Sequence, residues 1–124
     1  MTTPDRVVLA FDTSTDELAC AVARVGEGDG RRRVEVLASG DRPCRRQANV
    51  ELVPTCLGLL DEAGLSMGDV DRVVVGRGPG SFTGVRIGIA TAKGLGCGLD
   101  RPVAGASTLD AVAWRAWAAG VRGL

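Results

Sequence analysis

Residues 72–76 (RVVVG) form a short β-branched run that passes into a glycine-rich stretch, RGPGSFTG, and then into a segment of helical spacing at about 85–98. A strand that leads through glycines into a helix is a βα unit, which commits the chain to a sheet with helices packed on it. A strand of this composition is expected to be covered on both faces. Gly78 and Gly80 flank Pro79, so the loop backbone can adopt conformations closed to other residues and approach a neighbour closely. Ser81 or Thr83 can cap the helix that follows, and its free amides and positive dipole end suit an anion such as phosphate. The stretch is not a Walker A loop, because no GK[ST] ends it. A purely structural strand-to-helix turn explains the same residues, and both readings stand at this point.

The remaining elements follow from changes of period. Residues 6–13 (RVVLAFDT) end in a polar turn, and 18–25 (LACAVARV) follow at hairpin spacing. A Gly- and Arg-rich turn (GEGDGRRR) leads to a third alternating run at 34–38, giving an antiparallel meander. From about 48 to 63 the apolar residues Val50, Val53, Leu57 and Leu60 recur at helical spacing, and Gly64 supplies a stop. Pro54 removes one backbone donor, which predicts a kink or a later start. Residues 102–105 read as another strand, and Ser107 or Thr108 can cap a last helix to about 119. The order βββαβαβα predicts an α/β fold, a five-stranded mixed sheet with three helices.

At 124 residues and 45% apolar content the chain suits one domain with a core. Its 15 basic and 15 acidic residues cancel. The arginines at 31–33 and Arg42, Arg45 and Arg46 read as solvated loops, so no broad basic face for nucleic acid is predicted. Phe11, Phe82, Trp114 and Trp117 are the only aromatics, too few for a stacking platform, and strong direct nucleic-acid binding is not expected. No apolar stretch nears the roughly 20 residues of a membrane span, and MTTPDR lacks a signal-peptide pattern, so a cytoplasmic protein is expected. Cys20, Cys44, Cys56 and Cys97 contain no CxxC pair, and three fall in apolar periodic segments as small hydrophobes. The chain has no histidine, which removes the commonest metal ligand and the commonest neutral-pH base.

Two further features bear on function. Asp12 ends the first strand and is followed by Thr13, Ser14 and Thr15, a turn that can cup a phosphate while the carboxylate holds hydrated Mg²⁺. An Asx-type turn accounts for it equally. In the second helix Gly84, Gly88, Ala92 and Gly96 recur every four residues along one face. Each interior glycine costs about 1 kcal/mol relative to alanine, so the stripe wants a reason. It either packs closely on the domain's own sheet or admits another helix from a partner.

FDTST near the start, LLDEAGLSMGDVDRVVVGRGPGSFTGVRIGIATAKGLG in the middle and RPVAGASTLDAVA after it resemble the TsaB/YeaZ proteins, relatives of the Kae1/Gcp-type threonylcarbamoyltransferases. The resemblance runs from about residue 7 to 117. It implies one amino-terminal lobe, residues 1–124, of the two-lobed actin-like, ribonuclease H-like fold shared with acetate kinase and Hsp70, the carboxy-terminal lobe being absent. It also implies a non-catalytic partner of the catalytic TsaD-type subunit, and through that complex of a TsaE-type ATPase, in making the threonylcarbamoyl modification of tRNA adenosine. The catalytic relatives carry an HxxxH metal motif that falls here on Thr108 and Val112, so no metal, and at most weak nucleotide binding, is implied. Contact through the first two helices is implied as well, with Val50, Val53, Leu57, Gly84, Arg86, Gly88, Ala92 and Gly96 facing the catalytic subunit or, in isolation, a second copy. The family's usual HSE is replaced near Gln47 to Glu51. A kinase or ATPase of the same fold, using Asp12 and residues 13–15, is the alternative.

Overall fold

The computed structural model describes residues 4–44 and 47–120. Five strands, β1 (Arg6–Asp12), β2 (Glu17–Gly28), β3 (Arg31–Pro43), β4 (Arg72–Gly76) and β5 (Val103–Ala106), form one sheet in the order β3-β2-β1-β4-β5. The meander β1 to β3 is antiparallel, while β4 and β5 join parallel to β1, each after a helical crossover. The helices are α1 (Ala48–Glu62), α2 (Phe82–Leu99) and α3 (Thr108–Ala118).

Strand alternation places one apolar layer under α1 and α2. Register puts Leu9 beside Val22 and Val73, and Phe11 beside Cys20 and Val75. All six are buried. Onto this layer α1 lowers Ala48, Leu52, Cys56, Leu59 and Leu60, a set at helical spacing. Each fully buried leucine or valine contributes about 1.5–3 kcal/mol, so these two layers carry most of the hydrophobic stabilisation. The helix begins at Ala48 and runs through Pro54, so the later start does not occur. Burial of Ala48 and Leu52 holds the first turns down. It stops in a Schellman arrangement: Gly64, at φ +74°, donates to the Asp61 carbonyl and Leu65 to that of Leu60.

The second hairpin, β2 to β3, is longer than its composition suggests. Asp29 and Gly30, at φ +54° and +73°, reverse the chain in two residues. Arg31, Arg32 and Arg33 therefore pair with Gly28, Glu27 and Gly26 on β2, and Arg42 pairs with Leu18. These arginines sit on a strand and not in loops; Arg45 and Arg46 lie outside the described residues. Polar composition tracks solvent exposure, which an edge strand shares with a loop. Gly30→Ala is expected to cost about 1 kcal/mol in a urea melt, because open space surrounds the position and only the backbone conformation resists a side chain.

The opposite face of the sheet carries small residues. Ala21, Ala10, Val74 and Ala104 share one row. Here α3 leaves a cleft of about 520 Å³ lined by Ala10, Ala21, Val74, Ala106, Ala111 and Arg115. Leu109, Val112, Trp114 and Trp117 of α3 are exposed, and no residue of that helix is buried. So β4 is covered fully on one side only, with Val74 half-buried against the expectation of two covered faces. Cysteine placement differs as well: Cys44 is buried, as are Cys20 and Cys56, while Cys97 is exposed. Among the described residues no helix is long and apolar enough to cross a membrane.

Candidate functional site

Where β1 ends, Asp12 accepts hydrogen bonds on both carboxylate oxygens. The Ser14 amide donates to Oδ1 at 2.8 Å, closing an Asx turn, and the Thr108 hydroxyl at the start of α3 donates to Oδ2 at 2.7 Å. Thr108 Oγ1 in turn accepts from the Gly78 amide at 3.2 Å and lies 3.2 Å from Ser14 Oγ. One carboxylate thus ties together the end of β1, the glycine loop and α3.

The turn after Asp12 is enclosed by glycines. A methyl group placed on Gly76 would overlap the Asp12 carboxylate, one on Gly80 the Ser14 carbonyl oxygen, and one on Gly84 the Thr13 carbonyl oxygen. On Gly88 it would come within 2.7 Å of Thr13 Oγ1 and 3.4 Å of a Val75 methyl. The wall is also bonded to the turn: Thr13 Oγ1 donates to the Gly84 carbonyl at 2.6 Å, and the Ser81 amide donates to the Ser14 carbonyl at 2.6 Å. Thr13 and Ser14 are each only 1% exposed. Thr15 is exposed and its hydroxyl accepts from the Glu17 amide at 3.2 Å.

Two expectations change on this geometry. The hydroxyls of Thr13 and Ser14 face protein and are engaged there, and the Ser14 amide is bonded to Asp12, as an Asx turn requires. The glycine loop comes close to a neighbour, but the neighbour is the chain's own turn. The stripe Gly84, Gly88, Ala92 and Gly96 likewise faces inward: Gly88, Ala92 and Gly96 are buried, and a side chain on Gly96 would meet Val103 and the Arg101 carbonyl. These four residues are packing positions and not a partner face. Small-residue spacing signals a close approach without saying to what, and here the sheet and the turn occupy that space. Ser81, and not Thr83, caps α2, its Oγ accepting from the Gly84 amide at 3.2 Å. Pro79 and Thr83 are exposed.

Outward from this cage, α1 turns a second apolar stripe to solvent. Val50 is 66%, Val53 38% and Leu57 48% exposed. At the start of α2 Phe82 is 74% exposed, with the Arg86 guanidinium 5.2 Å above its ring. Phe82 was not singled out by spacing, although a bulky apolar residue directly after an N-cap serine is a signal of its own. Thr108 was read as a cap, and its hydroxyl instead serves Asp12. Only its coincidence with the first position of the relatives' metal motif pointed to a role. Among the described residues no three His, Cys, Asp or Glu side chains gather as metal ligands.

The sheet order, the crossovers and an aspartate ending β1 above a glycine loop define a lobe of the actin-like, ribonuclease H-like fold. A model of the TsaD family, tRNA N6-adenosine threonylcarbamoyltransferase, matches residues 42–121. The chain is 40% identical over 110 residues to the tRNA threonylcarbamoyladenosine biosynthesis protein TsaB of Escherichia coli, covering 89% of this chain and 44% of that protein. The Haemophilus influenzae protein of that name is 40% identical over 110 residues, covering 89% of this chain and 43% of that one. YeaZ from Pseudomonas aeruginosa superposes with a TM-score of 0.76 at 39% identity, over 91% of this chain and 49% of that one. RuvC from Thermus thermophilus shares the fold, with a TM-score of 0.58 at 17% identity over 82% of this chain and 63% of that one. The chain belongs to the TsaB/YeaZ group of the threonylcarbamoyltransferase family. It spans about half the length of the relatives it matches.

Proposed function

We propose that this chain is a non-catalytic partner lobe in threonylcarbamoyladenosine formation on tRNA, docking on a TsaD-type catalytic subunit through the outer face of α1 and the start of α2. The observation that carries this reading is the solvent-facing stripe Val50, Val53 and Leu57 on a helix whose other side already fills the core. A helix apolar on two sides has a second surface to bury. Phe82 with Arg86 adds an aromatic and an arginine, the residue types that dominate interface energetics. In isolation the same stripe would pair two copies. The open sheet face and apolar α3 suit a second lobe of the length found in the relatives.

The non-catalytic part of the proposal draws on Thr108, a hydroxyl where the catalytic relatives place a metal-binding imidazole, and on the absence of histidine. The kinase alternative gains nothing from the turn, since Asp12 and the Thr13 and Ser14 hydroxyls already have protein partners. The decisive measurement is titration calorimetry against the cognate catalytic subunit. A Val53→Asp, Leu57→Asp double variant is expected to weaken binding at least ~100-fold, about 2.7 kcal/mol, by burying charge in an apolar contact. Its melting temperature should stay near that of the parent because both side chains are exposed. Undiminished binding by a folded double variant would remove α1 from the interface and sink the proposal.

A further inference from the structure

Cys20 on β2 and Cys56 on α1 are both buried, and their sulfurs lie 3.4 Å apart. We propose that the two form an oxidisable dithiol, a modification site at which a hydroperoxide converts the pair into a disulfide that staples α1 to the sheet. The elements concerned are already packed together, since Cys56 belongs to the α1 face that covers β2. Forming the bond asks the sulfurs to close by only about 1.4 Å, a movement within reach of side-chain rotation. Neither other cysteine shows such an arrangement: Cys44 Sγ donates to the Asp16 carbonyl at 3.5 Å, and Cys97 is exposed on α2.

The local electrostatics divide the labour. A hydrogen bond links the two sulfurs, and either can donate it; received from Cys56, it favours the Cys20 thiolate and lowers its pKa against the opposing effect of burial. That same hydrogen bond, and burial, push the Cys56 thiol well up. With the hydrogen bond in that direction, Cys20 is the first nucleophile. Its thiolate attacks one peroxide oxygen, the O–O bond breaks, and the products are a Cys20 sulfenic acid and hydroxide. Cys56 then attacks the Cys20 sulfur; the S–O bond breaks, the leaving hydroxide takes up the Cys56 proton, and water departs. In sum, two thiols and one hydrogen peroxide give one disulfide and two waters. Burial sets the rate, because the oxidant reaches the pair only when α1 opens from the sheet. The exposed Cys97 should therefore react first.

The test uses the full chain, treated with hydrogen peroxide, quenched, and denatured in alkylating agent without reductant. Trypsin releases Cys20 in peptide 7–24 and Cys56 in peptide 47–72, each with a single cysteine. The expected result is joint loss of both free thiols and a linked species two hydrogens lighter than the sum of the peptides. Its appearance should raise the thermal midpoint, and dithiothreitol should reverse the rise. Recovery of the two peptides as separate alkylated species after Cys97 is fully oxidised would overturn the proposal. So would linkage of either peptide to Cys44 or Cys97 instead. A Cys44→Ser, Cys97→Ser background removes competing thiols, and mapping of the unmodified sequence gives the same discrimination should that variant fold poorly.

Discussion

Gly84→Leu is expected to show no cooperative melting transition at all. Any β-carbon at this position meets the Thr13 carbonyl oxygen, which is backbone and cannot swing aside, so α2 must move off the turn. Moving it breaks the Thr13 hydroxyl bond to Gly84 and the Ser81 amide bond to Ser14, leaving buried polar groups unpaired. Overpacking costs about 1–3 kcal/mol and each orphaned group about 1–3 more, a sum comparable with the whole stability of a small domain. Gly84→Ala is the milder version, expected to lose about 3 kcal/mol in a urea melt despite a gain of about 1 in helix propensity. Gly94 lies in the same helix with nothing near it. There the propensity term acts alone, and Gly94→Ala should raise the melting temperature by about 4 °C. Opposite signs at two glycines of one helix identify packing as the cause. Equal tolerance at both would mean that α2 does not rest on the turn.

Asp12→Ala is expected to destabilise by about 3 kcal/mol, measured by chemical denaturation, because it orphans the Ser14 amide and the Thr108 hydroxyl together. Thr108→Val should cost about 2 kcal/mol, since it also deprives the Gly78 amide of its acceptor. The two losses should not add: the double variant is expected to fall short of the sum by about 1–2 kcal/mol, the signature of residues in one network. An aspartate kept for ligand chemistry behaves differently, since its removal relieves the fold and leaves stability unchanged or raised. A neutral or stabilising Asp12→Ala would therefore reopen the nucleotide reading of this turn.

Local rules made the element order legible. Period changes located all five strands and three helices, and Gly64 and Ser81 were readable as helix punctuation because each acts on its nearest neighbours. The hairpin was misjudged where two left-handed residues, Asp29 and Gly30, let a polar segment continue as strand. The direction of the Gly84, Gly88, Ala92, Gly96 stripe could not be read along the chain. What it packs on is Thr13, Val75 and Val103, residues brought close by topology and not by spacing. The same holds for Thr108, whose bond to Asp12 spans 96 positions. Val50, Val53 and Leu57 were legible as apolar and helical. Their exposure depended on the core choosing the other side of α1.

The cage around Asp12 has a consequence for when the molecule can become complete. The meander is built from neighbouring segments and can form early, as low sequence separation favours. The cage cannot: its hydrogen bonds join positions 71, 94 and 96 residues apart. On a ribosome the turn must wait with its polar groups in water until Thr108 has emerged, and only then can the first strand's end be sealed. The order of synthesis thus makes a turn that is made early wait for a helix that is made later, and amide exchange should find the 12–15 turn opening before the sheet that carries it.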